Sequence, residues 1–167
     1  MIARCLYKCF RMSSPYFEFE QDFIGSLRCI PMVVRHHLDT CGVKLKLDHW
    51  NHFSQKDRQQ LVDWPCDTPA AAQAYREQLQ QMITAQTGSP AKTLEIASTP
   101  PWQQLTAVPG EVAAKFAAEQ VPLTLTQWQE LSELQRFALV KLSRPSHENR
   151  NFLPAVKEFG LGPGILL

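Results

Sequence analysis

Residues 43–62, VKLKLDHWNHFSQKDRQQLV, and residues 121–140, VPLTLTQWQELSELQRFALV, are two versions of one pattern. Reading them together decides the fold. Trp50 and Trp128, Ser54 and Ser132, Arg58 and Arg136, and the Leu-Val pairs at 61–62 and 139–140 fall in the same register. Extended outward without a gap, the match runs from 27–62 to 105–140 at an offset of 78 residues, with eleven of thirty-six positions identical. Conservative pairs such as Ile30/Val108, Leu38/Phe116 and Phe53/Leu131 sit at apolar positions, so the repeated quantity is a packing pattern.

That pattern is helical. Pro31 and Pro109 carry the φ of a first helical position, where a missing N–H costs nothing. From Pro31, the positions Val34, Leu38 and Cys41 line one face, and Gly42 supplies a left-handed stop. Asp48 and Thr126 are candidate N-caps for a turn bearing the paired tryptophans. Ser54 with Asp57, and Ser132 with Gln135, then read as capping boxes that open a further helix in each copy. Thr68 and Pro69, followed by Ala71, Tyr75, Leu79, Met82 and Ile83 and closed by Gly88, predict a long third helix in the first copy. The second copy has no such run. Pro154 interrupts it, leaving a loop or bent helix and a last short helix from Pro154 to about Phe159, closed by Gly160. Gly88 to Pro101, with three prolines, reads as a linker. Tyr16 to Glu20 alternates enough for a short strand or an extended arm, with Phe17 and Phe19 on one side.

The expectation is an all-α protein made of two pseudo-symmetric helical units packed as one compact domain. Residues 1–15 form a flexible extension, 16–161 the domain (first repeat about 27–88, linker 89–104, second repeat about 105–160) and 162–167 a tail. The length of 167 residues suits one domain, and 44% apolar with 20% charged residues is the composition of a chain with a packed core. Lys+Arg 17 against Asp+Glu 16 leaves a net charge of +1, which disfavours a nucleic acid or an anionic membrane as partner. No apolar run is long enough to cross a bilayer, and no signal peptide is recognisable. Five cysteines without an export signal favour reduced thiols in a cytoplasm.

Where the copies differ, chemistry is easier to place. Cys29, Cys41, Cys66, His36, His37, His49 and His52 lie in the first copy, opposite Ala107, Glu119, Arg144, Ala114, Lys115, Gln127 and Glu130 in the second. Converging thiols and imidazoles could hold a metal, but no Cys-x-x-Cys pair announces a closed site. The plainer reading makes the cysteines small buried hydrophobes and the histidines surface residues. The densest polar stretch is Arg144, Pro145, Ser146, His147, Glu148, Asn149, Arg150 and Asn151, which has no counterpart in the first copy. Guanidinium forks there suit a carboxylate, a phosphate or a partner's backbone; a capped, solvated loop is the alternative. Phosphate loops, nucleophile elbows and His-Glu-x-x-His helices are absent from the sequence. A hydrolase pairing Cys66 with His147 has no specific support, and neither paired helix is basic enough to read DNA.

Four separated motifs then stand together: Phe19, Glu20, Asp22 and Phe23 leading into 27–31 (LRCIP); Asp39, Cys41 and Gly42; 65–68 (PCDT); and Arg144, Pro145 with 147–152 (HENRNF). In this order, over roughly residues 16–161, they resemble the nitrate reductase associated protein family, found mainly in cyanobacteria. The resemblance implies a small cytoplasmic accessory or maturation factor, not itself an enzyme. Such a factor is needed for active assimilatory, ferredoxin-dependent nitrate reductase, which carries a molybdopterin cofactor and an iron-sulfur cluster. The implied partner is the reductase catalytic subunit or its cofactor-loading machinery. The expected contact surface is Arg144, His147, Glu148, Asn149, Arg150 and Asn151 with the neighbourhood of Cys29, Cys41 and Cys66, and no cofactor is expected on the protein itself. The alternative is a carrier that binds molybdopterin, an iron-sulfur group or a metal through its arginines and histidines and through Cys29, Cys41 and Cys66.

Overall fold

Among the described residues, six of the nine α-helices start at a capping serine or threonine or at a proline. A computed structural model describes residues 14–162, apart from the side chains of His147 and Glu148. The expected extension and tail fall almost wholly outside the described residues, and Cys5 and Cys9 lie outside them too. Among the described residues the chain is all-helical, with nine α-helices, three 3-10 turns and no strand.

The arm at the N-terminus is neither a strand nor fully extended. Phe17 is extended, but Glu18–Glu20 forms a 3-10 turn that runs into α1 (Gln21–Ile24). The Glu20 side chain bonds back to the Phe17 N–H at 3.0 Å, a local bond that competes with any sheet partner. Helix α2 (Met32–Cys41) follows. Its proline is the N-cap rather than the first helical residue, since Pro31 has ψ 157 and a φ that suits either position. Proline offers no capping oxygen, so Glu20, twelve residues upstream and 2% exposed, accepts the Met32 N–H at 2.7 Å. Gly42 ends the helix at φ 71, where a Cβ would meet the Leu94 carbonyl at 2.9 Å.

Helix α3 (Leu47–His52) has Lys46 as N-cap and starts two residues earlier than an Asp48 cap would allow. Helix α4 (Gln55–Asp63) opens on the Ser54–Asp57 capping box, and α5 (Pro69–Thr87) runs from the Thr68 cap to Gly88 at φ 79. The linker is fastened to the first half by an isolated bridge between Val43 and Thr93. It then enters a 3-10 turn at Pro101–Gln103. Helix α6 (Gly110–Ala118) has Pro109 as N-cap. Helix α7 (Leu125–Glu130) is capped by Thr124 and not by Thr126, because Thr124 and Gln127 form a reciprocal box. Helix α8 (Glu133–Ser143) opens on the Ser132–Gln135 box. After a 3-10 turn at His147–Asn151, α9 (Phe152–Glu158) begins two residues before Pro154. Pro154 is tolerated because it occupies the first turn, where the N–H has no intrahelical acceptor. Helices α2, α3 and α4 each begin 78 residues before α6, α7 and α8.

Two apolar clusters fill the interior. The first gathers Val34, Leu38, Trp50, Leu61, Tyr75 and Leu79; the second gathers Trp102, Val112, Phe116, Trp128, Leu139 and Phe152. Met32, on α2, belongs to the second although its helix mostly serves the first. In both halves the tryptophan indole donates to the backbone of the segment before the preceding helix, Trp50 to the Leu27 carbonyl and Trp128 to the Gln104 carbonyl, each at 2.7 Å. Arg58 adds bonds to the carbonyls of Trp50, Asn51 and Leu27. Arg136 bonds those of Trp102 and Leu131. The repeated Trp and Arg are therefore braces for turns.

The remote cap gives a test. Replacing Glu20 with Ala strands the buried Met32 N–H and frees the arm, so a loss of about 1–3 kcal/mol is expected in urea unfolding with the slope unchanged. An unaltered midpoint would show that the cap contributes nothing.

Candidate functional site

Helix α2 is covered by α5, by α8 and more lightly by α4, and the side that carries the half-buried Arg35, Asp39 and Thr40 opens onto a run of depressions. Four depressions follow one another along it and share lining residues. The first, about 320 Å3, lies between the arm, α2 and the 147–151 turn, and is lined by Glu20, Arg28, Cys29, Arg35, Arg150 and Asn151 among others. The second shares Cys29 and Arg35 with the first and continues to Asp39 and Lys141. The third shares Asp39 and Lys141 and adds Trp102 and Arg144. The fourth shares Thr40 and Ile96 with the third and holds Cys41, Cys66, Asp67 and Thr68. Residues from all four sequence motifs thus line one run of adjoining depressions along α2.

The expected site residues fall unevenly on it. Arg150 and Asn151 meet Cys29 in the first depression. Arg144 lies at the other end of its loop, pairing with Glu111 at 3.1 Å and 3.2 Å through Nε and Nη2. Asn149 is held locally, with its N–H on the Ser146 carbonyl. The side chains of His147 and Glu148 lie outside the described residues. Cys41 and Cys66 share the fourth depression, away from Cys29. Among the described residues no three of His, Cys, Asp and Glu come together in a way that could hold a metal ion. The three cysteines do not converge as a metal-binding set would require.

Burial decides the state of the Cys41 and Cys66 thiols. It pushes Cys41 up to about 11 and Cys66 up to about 12, with the neighbouring Cys41 adding to the rise at Cys66. Each thiol points at a carbonyl, Cys41 at Leu38 and Cys66 at His37, both at 3.7 Å. A protonated thiol is a poor nucleophile, which counts against the Cys66–His147 hydrolase. Iodoacetamide at pH 8 is expected to leave Cys41 and Cys66 unmodified in the folded protein and to modify both in urea, read by peptide mass spectrometry. Labelling of either at the unfolded rate would contradict the protonated, enclosed thiols.

The histidines are less superficial than their sequence context suggests. His36 bonds Glu133 at 3.0 Å and packs edge-on against Phe137, with ring centroids 5.1 Å apart. His37 packs edge-on against Tyr75, and burial, helped by His36, lowers its pKa from 6.5 to about 4. His52 is exposed. Arg28, Arg35, Asp39 and Lys141 were missed as candidates; the signal was their place among or between the motifs.

The His37 shift makes a pH prediction with a definite sign. The unfolded chain binds this proton below 6.5 and the folded chain resists it until about 4, so stability is full above 6.5 and falls through that window. The loss is about 2 kcal/mol, allowing for partial exposure. A His37→Phe variant should show a shallower fall between pH 6.5 and 4 in urea titrations, and an identical slope would exclude His37 as the source.

No helix among the described residues is long and apolar enough to cross a membrane. No curated protein and no solved structure matches the chain significantly. Residues 16–159 match the family described as conserved nitrate reductase-associated protein. That span takes in the arm, α2 and both halves of the helical core, and the chain belongs to this family.

Proposed function

We propose that the protein is an accessory factor for assimilatory nitrate reductase, acting by direct contact during assembly or cofactor loading, through the open side of α2. One observation carries the reading: the motif residues of a nitrate reductase-associated family, scattered from Phe19 to Asn151, line adjoining depressions along a single helix. A surface assembled from four separated stretches suits recognition of a partner better than it suits a reaction, since two of the three cysteines that line it, Cys41 and Cys66, are held protonated. In this reading the protein is cytoplasmic and non-enzymatic, forms one domain over residues 16–161, and meets the reductase catalytic subunit or its loading machinery. Nucleic acid and membrane have no part in it. In this reading Arg144, His147, Glu148, Asn149, Arg150 and Asn151 form the contact from one stretch of chain. We also take the two halves to descend from one duplicated unit, a view supported by the sequence offset and by helices and caps that recur at the same spacing.

The test uses a host from which the protein has been deleted, with the reductase polypeptide isolated and assayed for activity, molybdenum and iron. Deletion is expected to leave an inactive reductase short of one metal, and the intact gene to restore it. An Arg144→Ala, His147→Ala, Arg150→Ala triple variant should accumulate normally yet fail to restore activity. Full restoration by that variant would remove the contact assignment. Unchanged activity on deletion would remove the accessory role.

A further inference from the structure

Along the open side of α2, most cationic groups are already committed. Lys141 pairs with Asp39 at 2.5 Å, Arg144 with Glu111 at 3.1 Å, and Arg76 donates to the Cys41 carbonyl at 3.1 Å. The first depression is different. Three guanidinium groups line it from three segments: Arg28 from the loop before α2, Arg150 from the 147–151 turn, and Arg35 from α2 itself, which donates to the Ile30 carbonyl at 2.9 Å. Arg28 and Arg150 are exposed, and among the described residues neither guanidinium makes an ion pair or a hydrogen bond. Two acids share the cleft. Glu20 spends both carboxylate oxygens on the backbone N–H groups of Met32 and Phe17, which leaves Asp22 at the rim as the acid with an uncommitted carboxylate. The rest of the lining mixes the Asn151 amide with the apolar side chains of Phe23, Ile30 and Met32. A cleft of about 320 Å3 lies in the size range of small-molecule sites.

The geometry points to a binding site for a small phosphate monoester, with its phosphate between Arg28 and Arg150 and its organic body on the apolar lining. Two uncommitted guanidiniums match a dianion, and their planar forks match its oxygens bidentately. An acidic side chain of a partner protein would bring a single charge and leave one fork unmatched. This site goes beyond the contact with the reductase and does not depend on it.

The probes are phenyl phosphate, inorganic phosphate and benzoate, titrated into the full chain by calorimetry with thermal unfolding alongside. Phenyl phosphate is expected to bind saturably and more tightly than inorganic phosphate, which lacks the apolar body, and than benzoate, which lacks the second charge. Arg28→Ala and Arg150→Ala should each weaken it by about tenfold or more. Both residues are exposed, so the unliganded Tm of the two variants should equal that of the parent. No saturable binding of phenyl phosphate at millimolar concentration would overturn the site. Binding unchanged in both variants would place it elsewhere, and benzoate binding as tightly as phenyl phosphate would replace the phosphate by a carboxylate. None of these readouts involves nitrate reductase, so the outcome stands apart from that of the accessory role.

Discussion

One stripe of α8 sets the register in which the two halves of the protein meet. Glu133, Phe137 and Lys141, spaced four residues apart, lie on the same helical face and reach α2. Glu133 accepts from His36, Phe137 takes the edge of the same imidazole, and Lys141 pairs with Asp39 while lying over the Phe137 ring at 5.2 Å. Each polar pair is partly solvated and individually weak. The stripe matters through register, because it fixes which residues of α2 turn toward α8, which toward α5 and which remain open. With Met32 in one apolar cluster and Val34, Leu38 and Cys41 in the other, a slip of α2 by one residue would misplace both.

Local chemistry was legible in the sequence where it was self-contained. The serine capping boxes, the Thr68 start and Gly42 and Gly88 stops all depend on residues within one turn of each other, and each stands where its pattern placed it. The misplacements have different origins: the Thr124–Gln127 box is as local as the serine boxes, whereas the arm depends on a distant partner. The arm folds into a 3-10 turn because Glu20 bonds Phe17 and is then held by Met32, a contact no periodicity reveals. Pro154 was read as a break, although a proline in the first turn of α9 sacrifices no hydrogen bond.

The site was legible in its parts and not in its assembly. Arg150, Asn151 and Cys29 were each singled out, but nothing in their spacing says that they share a cleft while Arg144, six residues from Arg150, faces another. The face that joins the halves was visible only indirectly. Glu133, Phe137 and Lys141 stand 78 residues after Gln55, Gln59 and Asp63, and such a change of character between two helices of like register is what an interface on one of them alone would impose.

The arm closes the molecule end to end. Glu158 of α9 accepts the N–H groups of Glu18 and Phe19, and Phe159 packs on the rings of Phe17 and Phe19. A ribosome releases the first of these residues some 140 positions before the last. During synthesis the arm must therefore wait, undocked, while α2 to α8 form behind it. The Arg150 and Asn151 wall of the cleft is consequently made after α2 to α8, so a chain that stops before the 147–151 turn carries most of the helices and an incomplete cleft.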